Sequence, residues 1–374
     1  MDVRTIVSAF GLGLGCLGGL AFSGCETTTP ASHDTGKAPA AQADIPSYDA
    51  ASPEYVLGIN MPWVEFGRDF GDPTYPQPRE RIAEDFRQMG EGGVDVVRFW
   101  IHCDGRGSPL WEAPGVVEGM SDNFIEDFRW MLDEAAKNGI AIMPCLWSFD
   151  MAIDRRDEIG PNAGIHEPLV ESEELTERYI QRVLKPLVEA TDSHPALYAW
   201  EICNEPEWMI ENEGVPLEDV QRWTAQQAAA IHRFGDKPVT NGSAGLKFHS
   251  DVLPGALGNY WSDAALQEVY PNKDAYLDFY QVHVYGWLVE AGFDPFSLSP
   301  EDAGLDKPTM IGEAPGEDMH ATLPKTGEDV TYTPTEMYRK SQELGYFGLL
   351  YWSYNANDGH GDWPSMEAAF EAEE

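Results

Sequence analysis

From residue 55 onward the chain alternates between two periods of apolar placement. Runs rich in β-branched and aromatic residues occupy 55–60, 94–100, 139–147, 197–203, 237–241, 276–285, 308–313 and 346–354, the length and composition of buried strands. Between them apolar side chains recur every three or four positions. Val220, Trp223, Ile231 and Phe234 form one such face, interrupted only by Gln227, after Pro216 and before Gly235; this predicts a helix that starts behind a proline and stops at a glycine. Leu175, Tyr179, Val183 and Leu187 form a second face, and Phe124, Phe128, Met131 and Ala135 a third. Strand followed by helix, repeated, implies right-handed βαβ units and a parallel sheet. Eight units in about 320 residues suit an α/β fold closed into a (β/α)8 TIM barrel, one catalytic domain over residues 53–374. An open doubly wound sheet is the other architecture, and the lack of a GxGxxG or GxxxxGK[ST] turn after the first strand counts against it. The helical pattern is weak after the fifth and sixth strands, and the eighth helix must fit within 364–374.

Residues 1–52 follow neither period. Arg4 is the only positive charge ahead of a glycine-rich apolar stretch at 6–22, short for a membrane span of about 20 residues and suited to the hydrophobic region of a signal peptide. Phe22-Ser23-Gly24-Cys25 then resembles a bacterial lipobox. The resemblance implies loss of residues 1–24, a lipid on Cys25, and a mature protein tied to the cell envelope through that lipid alone. Phe22 stands where a lipobox usually has Leu, so ordinary cleavage with secretion, or a retained anchor, are the alternatives. Residues 26–52, rich in Thr, Ala, Pro, Ser and Asp, have no apolar face to bury and read as a disordered tether spanning at most about 90 Å.

Composition narrows the partners. With 24 Lys+Arg against 64 Asp+Glu the formal charge is −40, which repels phosphate backbones and anionic headgroups and argues against nucleic acid. A solvated exported surface and a salty habitat both fit such acidity. Of five cysteines, Cys16 and Cys25 belong to the leader and lipid site, leaving Cys103, Cys145 and Cys203. An odd set cannot all pair, and buried free thiols are the expectation. No CxxC, HxH or HExxH spacing points to a metal, and no cofactor is expected. A monomer is expected.

The chemistry lies at the strand ends, which converge on one face of a closed barrel. The second strand ends near Arg98, Trp100 and His102, the third near Trp147, and the fourth runs through Glu201 to Asn204-Glu205-Pro206. The sixth supplies His283 and Tyr285, the seventh Gly312-Glu313, and the eighth Trp352. Carboxylates on the fourth and seventh strands face each other across the mouth, as acetal cleavage requires of an acid and a nucleophile or base. In this order the residues resemble clan A glycoside hydrolases, and family 5 most of all, from about residue 55 to 352. The resemblance implies a retaining double displacement with Glu313 as nucleophile and Glu205 as acid and base. It further implies Arg98 and Tyr285 keeping Glu313 ionised, Asn204 on the sugar 2-hydroxyl, and Trp352 beneath the sugar ring.

Each assignment has a competitor. Glu201 lies on the same side of its strand as Glu205, and its deeper position makes it a buried partner for Arg98 in preference to a rival acid. His102 and His283 fit hydrogen-bonded structural histidines as well as ligands. Of the loop tryptophans Trp63, Trp111, Trp208, Trp261, Trp287 and Trp363, two or three are expected to touch sugar, Trp63 first, together with Trp147 of the third strand. Family 5 cellulases commonly have a histidine where this chain has Leu146-Trp147. That departure turns the resemblance toward the mannanase branches, endo-acting on β-1,4-mannan or glucomannan, with cellulose, mixed-linkage glucan and exo action as alternatives. A glycan-binding surface lipoprotein without catalysis gains little from burying two like charges together. A cofactor-dependent barrel acting on a phosphorylated metabolite needs a phosphate loop after the seventh strand, where this chain is acidic. A Ser-His-Asp hydrolase lacks its GxSxG elbow.

Overall fold

The computed structural model describes residues 45–356 and 358–372. The expected leader, Cys25 and most of the tether lie outside them. Eight strands close a parallel barrel in chain order: β1 (Val56–Asn60), β2 (Val96–Cys103), β3 (Ala141–Ser148), β4 (Trp200–Asn204), β5 (Val239–Ser243), β6 (Tyr280–His283), β7 (Thr309–Pro315) and β8 (Gly348–Trp352), with β8 returning to pair β1. Each starts within a run read as a strand from its composition, and β2, β5 and β7 continue two or three residues past the end of theirs. All eight are buried along their length, as strands covered on both faces must be. The helix expected between Pro216 and Gly235 is Leu217–Phe234, and the third apolar face lies on Phe124–Lys137. The second runs through Glu173–Tyr179, a π turn at Ile180–Leu184 and Lys185–Thr191. Only short helices follow β5 and β6, Asp263–Val269 and Gly286–Glu290, and the eighth is Trp363–Glu371.

The barrel interior is layered. At the strand starts Val96, Met143, Tyr198, Phe279, Met310 and Phe347 form an apolar floor. Ile45 and Tyr48 pack onto this floor, Tyr48 within 4.9 Å of Phe279 and 5.6 Å of Phe347 by ring centroids. Within the stretch read as a tether up to residue 52, Ile45 and Tyr48 are therefore packed, closing the barrel end, while 47 and 49–52 are exposed. Above the floor the middle layer is polar, with Arg98, Glu201 and Gln281 fully buried. Above that, Trp100, Cys145 and Trp352 cluster with Trp63 and Phe66. Loops after β2, β5 and β7 carry the hairpins Leu110–Ala113 with Val116–Gly119, His249–Ser250 with Gly258–Asn259, and Met319–Thr322 with Asp329–Tyr332. Cys103, Cys145 and Cys203 are buried free thiols.

Candidate active site

Arg98 organises the mouth from beneath. Its Nε and Nη2 donate to Oε2 and Oε1 of Glu201 at 2.6 and 2.5 Å, and Nη1 donates to Oε1 of Glu313 at 2.6 Å and Oδ1 of Asn60 at 2.9 Å. Burial alone would raise the Glu201 carboxyl, but the two-pronged Arg98 pair more than reverses this and holds it below the usual range. Glu201 is thus committed to Arg98, in line with its deep position. The space for this pair depends on Gly242, where a Cβ would overlap Oε1 of Glu201.

Nη2 of Arg98 also donates to Oδ1 of Asn204 at 2.8 Å. Because a guanidinium only donates, this fixes the amide with its oxygen toward Arg98 and leaves Nδ2 for another acceptor. One residue later the chain turns sharply. Glu205 has φ +46, a left-handed conformation uncommon for a side-chain-bearing residue, and its N–H donates to Gly242 O at 2.5 Å. The turn aims Glu205 across the mouth, where Trp208 Nε1 donates to its Oε2 at 2.7 Å and His283 Nδ1 lies 3.0 Å from its Oε1.

Glu313 on β7 is held by a different set. Besides Arg98, Tyr285 Oη donates to its Oε2 at 2.8 Å, and His283 Nδ1 is 3.4 Å from the same oxygen. An oxygen of Glu205, an oxygen of Glu313 and a nitrogen of His283 all lie within 4.8 Å of one another. Among the described residues this trio is also the one His/Cys/Asp/Glu group spaced closely enough for a metal ion, and Arg98 already places a fixed positive charge against it.

Burial dominates the titration of both acids. It raises Glu205 to about 7, with the Trp208 hydrogen bond and the Arg98 charge acting against it. Burial also raises Glu313, opposed by His283, Arg98 and Tyr285 and assisted by the nearby Glu205. Arg98 and Tyr285, expected to favour the ionised form of Glu313, do act against the rise that desolvation imposes. Burial drives His283 down to about 4, so its ring is neutral near pH 7. Burial likewise lowers His102 to about 3; it bonds Ser108, stacks on Phe124 and is a structural histidine.

Aromatic groups line two opposite sides of the barrel. On the β8, β1 and β2 side, Trp352 donates to Asp358 Oδ2 at 2.7 Å and meets Trp63 and Trp100 at ring-centroid distances of 6.0 and 5.6 Å. On the β4 and β6 side, Trp208 lies 5.9 Å from Trp287, which is 40% exposed. Trp147 joins neither group. Its side chain is wholly buried, its ring against His102 and Tyr179 at 4.6 and 5.2 Å and covered by Trp111 at 6.2 Å. The hairpin that carries Trp111 roofs it over, so the expected sugar contact at Trp147 is corrected to a core role. Trp261 and Trp363 are also core, Trp261 bonding the buried Glu207 and Trp363 packing on Phe370.

The site therefore brings together Arg98, Asn204, Glu205, His283, Tyr285, Glu313, Trp352 and Trp63, and omits Trp147. The sequence pattern did not single out Asn60 or Asp358, and it offered Trp208 only as one of six loop tryptophans that could stack on sugar, not as a partner of Glu205. A polar residue ending β1 was the available signal for Asn60, and the three-residue distance from Glu205 for Trp208; nothing local marks Asp358.

No family model matches the sequence. The mannan endo-1,4-β-mannosidase of Mytilus edulis is 28% identical over 324 residues, covering 80% of this chain and 83% of the mussel protein. The β-1,4-mannanase structure from Aplysia kurodai is 26% identical with a TM-score of 0.71 over 85% of this chain and 92% of that one. An endo-1,4-β-mannanase from Eisenia fetida, 24% identical with a TM-score of 0.72 over 85% of this chain and 90% of its own, shares the fold. With two carboxylates facing each other in a closed barrel mouth and glycosidases aligned along four-fifths of its length, this chain is a retaining O-glycosyl hydrolase on a barrel like that of the mannanases and cellulases of glycoside hydrolase family 5.

Proposed function

We propose that the enzyme is an endo-acting β-1,4-mannanase in which Glu313 is the nucleophile and Glu205 the acid and base. A β-linked glycan is its substrate class. The observation that carries the residue roles is the pair itself: carboxylate oxygens within 4.8 Å, held by unlike donors. Retaining hydrolysis needs carboxyl groups about 5 to 5.5 Å apart, whereas inversion needs room for water between them. Arg98 and Tyr285 favour the anionic form of Glu313, which attacks the anomeric carbon. Glu205, raised to about 7, holds a proton near neutral pH, gives it to the leaving oxygen, then takes one from the water that opens the glycosyl-enzyme. Nδ2 of Asn204 donates to the sugar 2-hydroxyl, and Trp352 offers its face to the ring being cleaved.

Aromatic groups on both sides of the pair support action within a chain, since sugars on either side of the cleaved bond then have rings to stack on. The names of the relatives support mannan. For location, the lipobox-like Phe22–Cys25 supports export and a lipid anchor at Cys25, which fractionating membranes from cells making Cys25→Ser checks: the substitution should release the protein.

The test is reducing-end release and viscosity loss on galactomannan, glucomannan, carboxymethylcellulose and mixed-linkage glucan, with wild type and Glu313→Ala. The mannans should lose viscosity early, and Glu313→Ala should be inactive. Azide should restore turnover of an activated aryl β-mannoside by Glu313→Ala and yield the sugar azide of inverted configuration. A folded wild type that binds a glycan and cuts none of the four would overturn the reading.

A further inference from the structure

Glu205 presents two unlike oxygens to the mouth. Oε2 accepts the indole N–H of Trp208 at 2.7 Å, while Oε1 faces His283 Nδ1 at 3.0 Å. An indole nitrogen donates and never accepts. The carbonyl oxygen of a carboxylic acid is a better acceptor than its hydroxyl oxygen, so the indole favours Oε2 as the carbonyl and a proton carried by Glu205 on Oε1. His283 can tolerate this, because its Nδ1 also lies 3.4 Å from Oε2 of Glu313 and can give its hydrogen there instead.

Trp208 is itself firmly placed. It follows Glu205 by three residues on the short helix Glu207–Glu211, its own N–H donates to Glu205 O at 3.0 Å, and its ring packs against Trp287 and Phe248 at 5.9 and 6.2 Å. The indole is thus fixed at both backbone and ring, while the carboxylate hangs from a strained turn. We propose that Trp208 is a positioning residue for the acid and base: its N–H reserves Oε2 and leaves Oε1 as the oxygen that passes the proton to the leaving group and takes it from water. The inference rests on the reading of Glu205 as acid and base.

A hydrogen bond to the charged form favours that form. Trp208→Phe keeps the aromatic surface and removes the N–H, so Glu205 should hold its proton to higher pH. The alkaline limb of kcat/KM on mannan should move upward by about one pH unit, the size expected for one hydrogen bond to a carboxylate. The loss of rate should be larger on mannan than on an aryl β-mannoside whose phenolate departs unprotonated. The position of the limb does not depend on the folded fraction, so partial misfolding cannot imitate the result. Trp287→Phe, which leaves the Trp208 N–H intact, should keep the limb in place whatever it does to the rate.

An unmoved limb in Trp208→Phe, with mannan and aryl glycoside slowed alike, would overturn the proposal and reduce Trp208 to a packing or stacking group. Glu205→Ala separates this from failure of the underlying reading. Inactivity on mannan with azide-dependent turnover of the aryl glycoside upholds Glu205 as acid and base; normal activity on mannan would overturn both.

Discussion

Glu205 is where chemistry and stability conflict most directly. Its folded pKa of about 7 stands above its ordinary value of 4.5 because burial disfavours the charged form. The fold therefore favours the protonated acid: that stabilisation is complete below about pH 4.5 and is lost as pH rises through 7. Glu205→Gln keeps an oxygen for Trp208 and removes the ionisation. It should be more stable than wild type by about 1 to 3 kcal/mol at pH 8, with the difference shrinking toward pH 5. Calorimetric melts at the two pH values check this, and an equal gap at both would show that Glu205 ionises freely in the fold. The residues named from the sequence were legible because charged and aromatic side chains at strand ends are rarely accidental in a barrel. Which oxygen bonds which donor was not, since the φ +46 turn at Glu205 and the approach of Trp208 arise only in three dimensions.

At the scale of elements, the eight strands could be read because parallel strands buried on both faces write continuous apolar runs. The orientation of Trp147 could not be read, because it depends on a hairpin some 30 residues earlier that folds over its ring. The packing of Ile45 and Tyr48 was likewise hidden, two apolar residues in a polar stretch having no local period. Contact between strands makes a further demand at Gly312, directly ahead of Glu313. A Cβ there would overlap the side-chain amide of Gln281 on β6, whose Nε2 donates to Oε2 of Glu201 at 3.1 Å. Gly312→Ala should therefore destabilise by about 1 to 3 kcal/mol, the range for overpacking, and lower activity by disturbing the Glu201–Arg98 pair. Urea unfolding measures the first effect; an unchanged midpoint would mean that β6 and β7 can separate without strain.

For the molecule as a whole, the dominant feature is the charge of −40. Many cations are already engaged: Arg87 with Glu84 and Glu91, Arg156 with Asp154, Arg98 in the core. The surplus carboxylates repel one another. Salt shortens the Debye length from about 10 Å at 0.1 M to about 3 Å at 1 M, so the melting temperature should rise between low and molar NaCl. A fall would show that screening of surface ion pairs outweighs relief of repulsion. The Tyr48 plug has a different consequence. Its ring meets Tyr198, Phe279 and Phe347, which lie just ahead of β4, β6 and β8, at the end of the barrel away from Glu205 and Glu313. A linkage made at Ile45 itself pulls on that far end. Fixed to a bead or an electrode through that residue, the enzyme keeps its mouth clear of the support, open to substrates too large to diffuse to it.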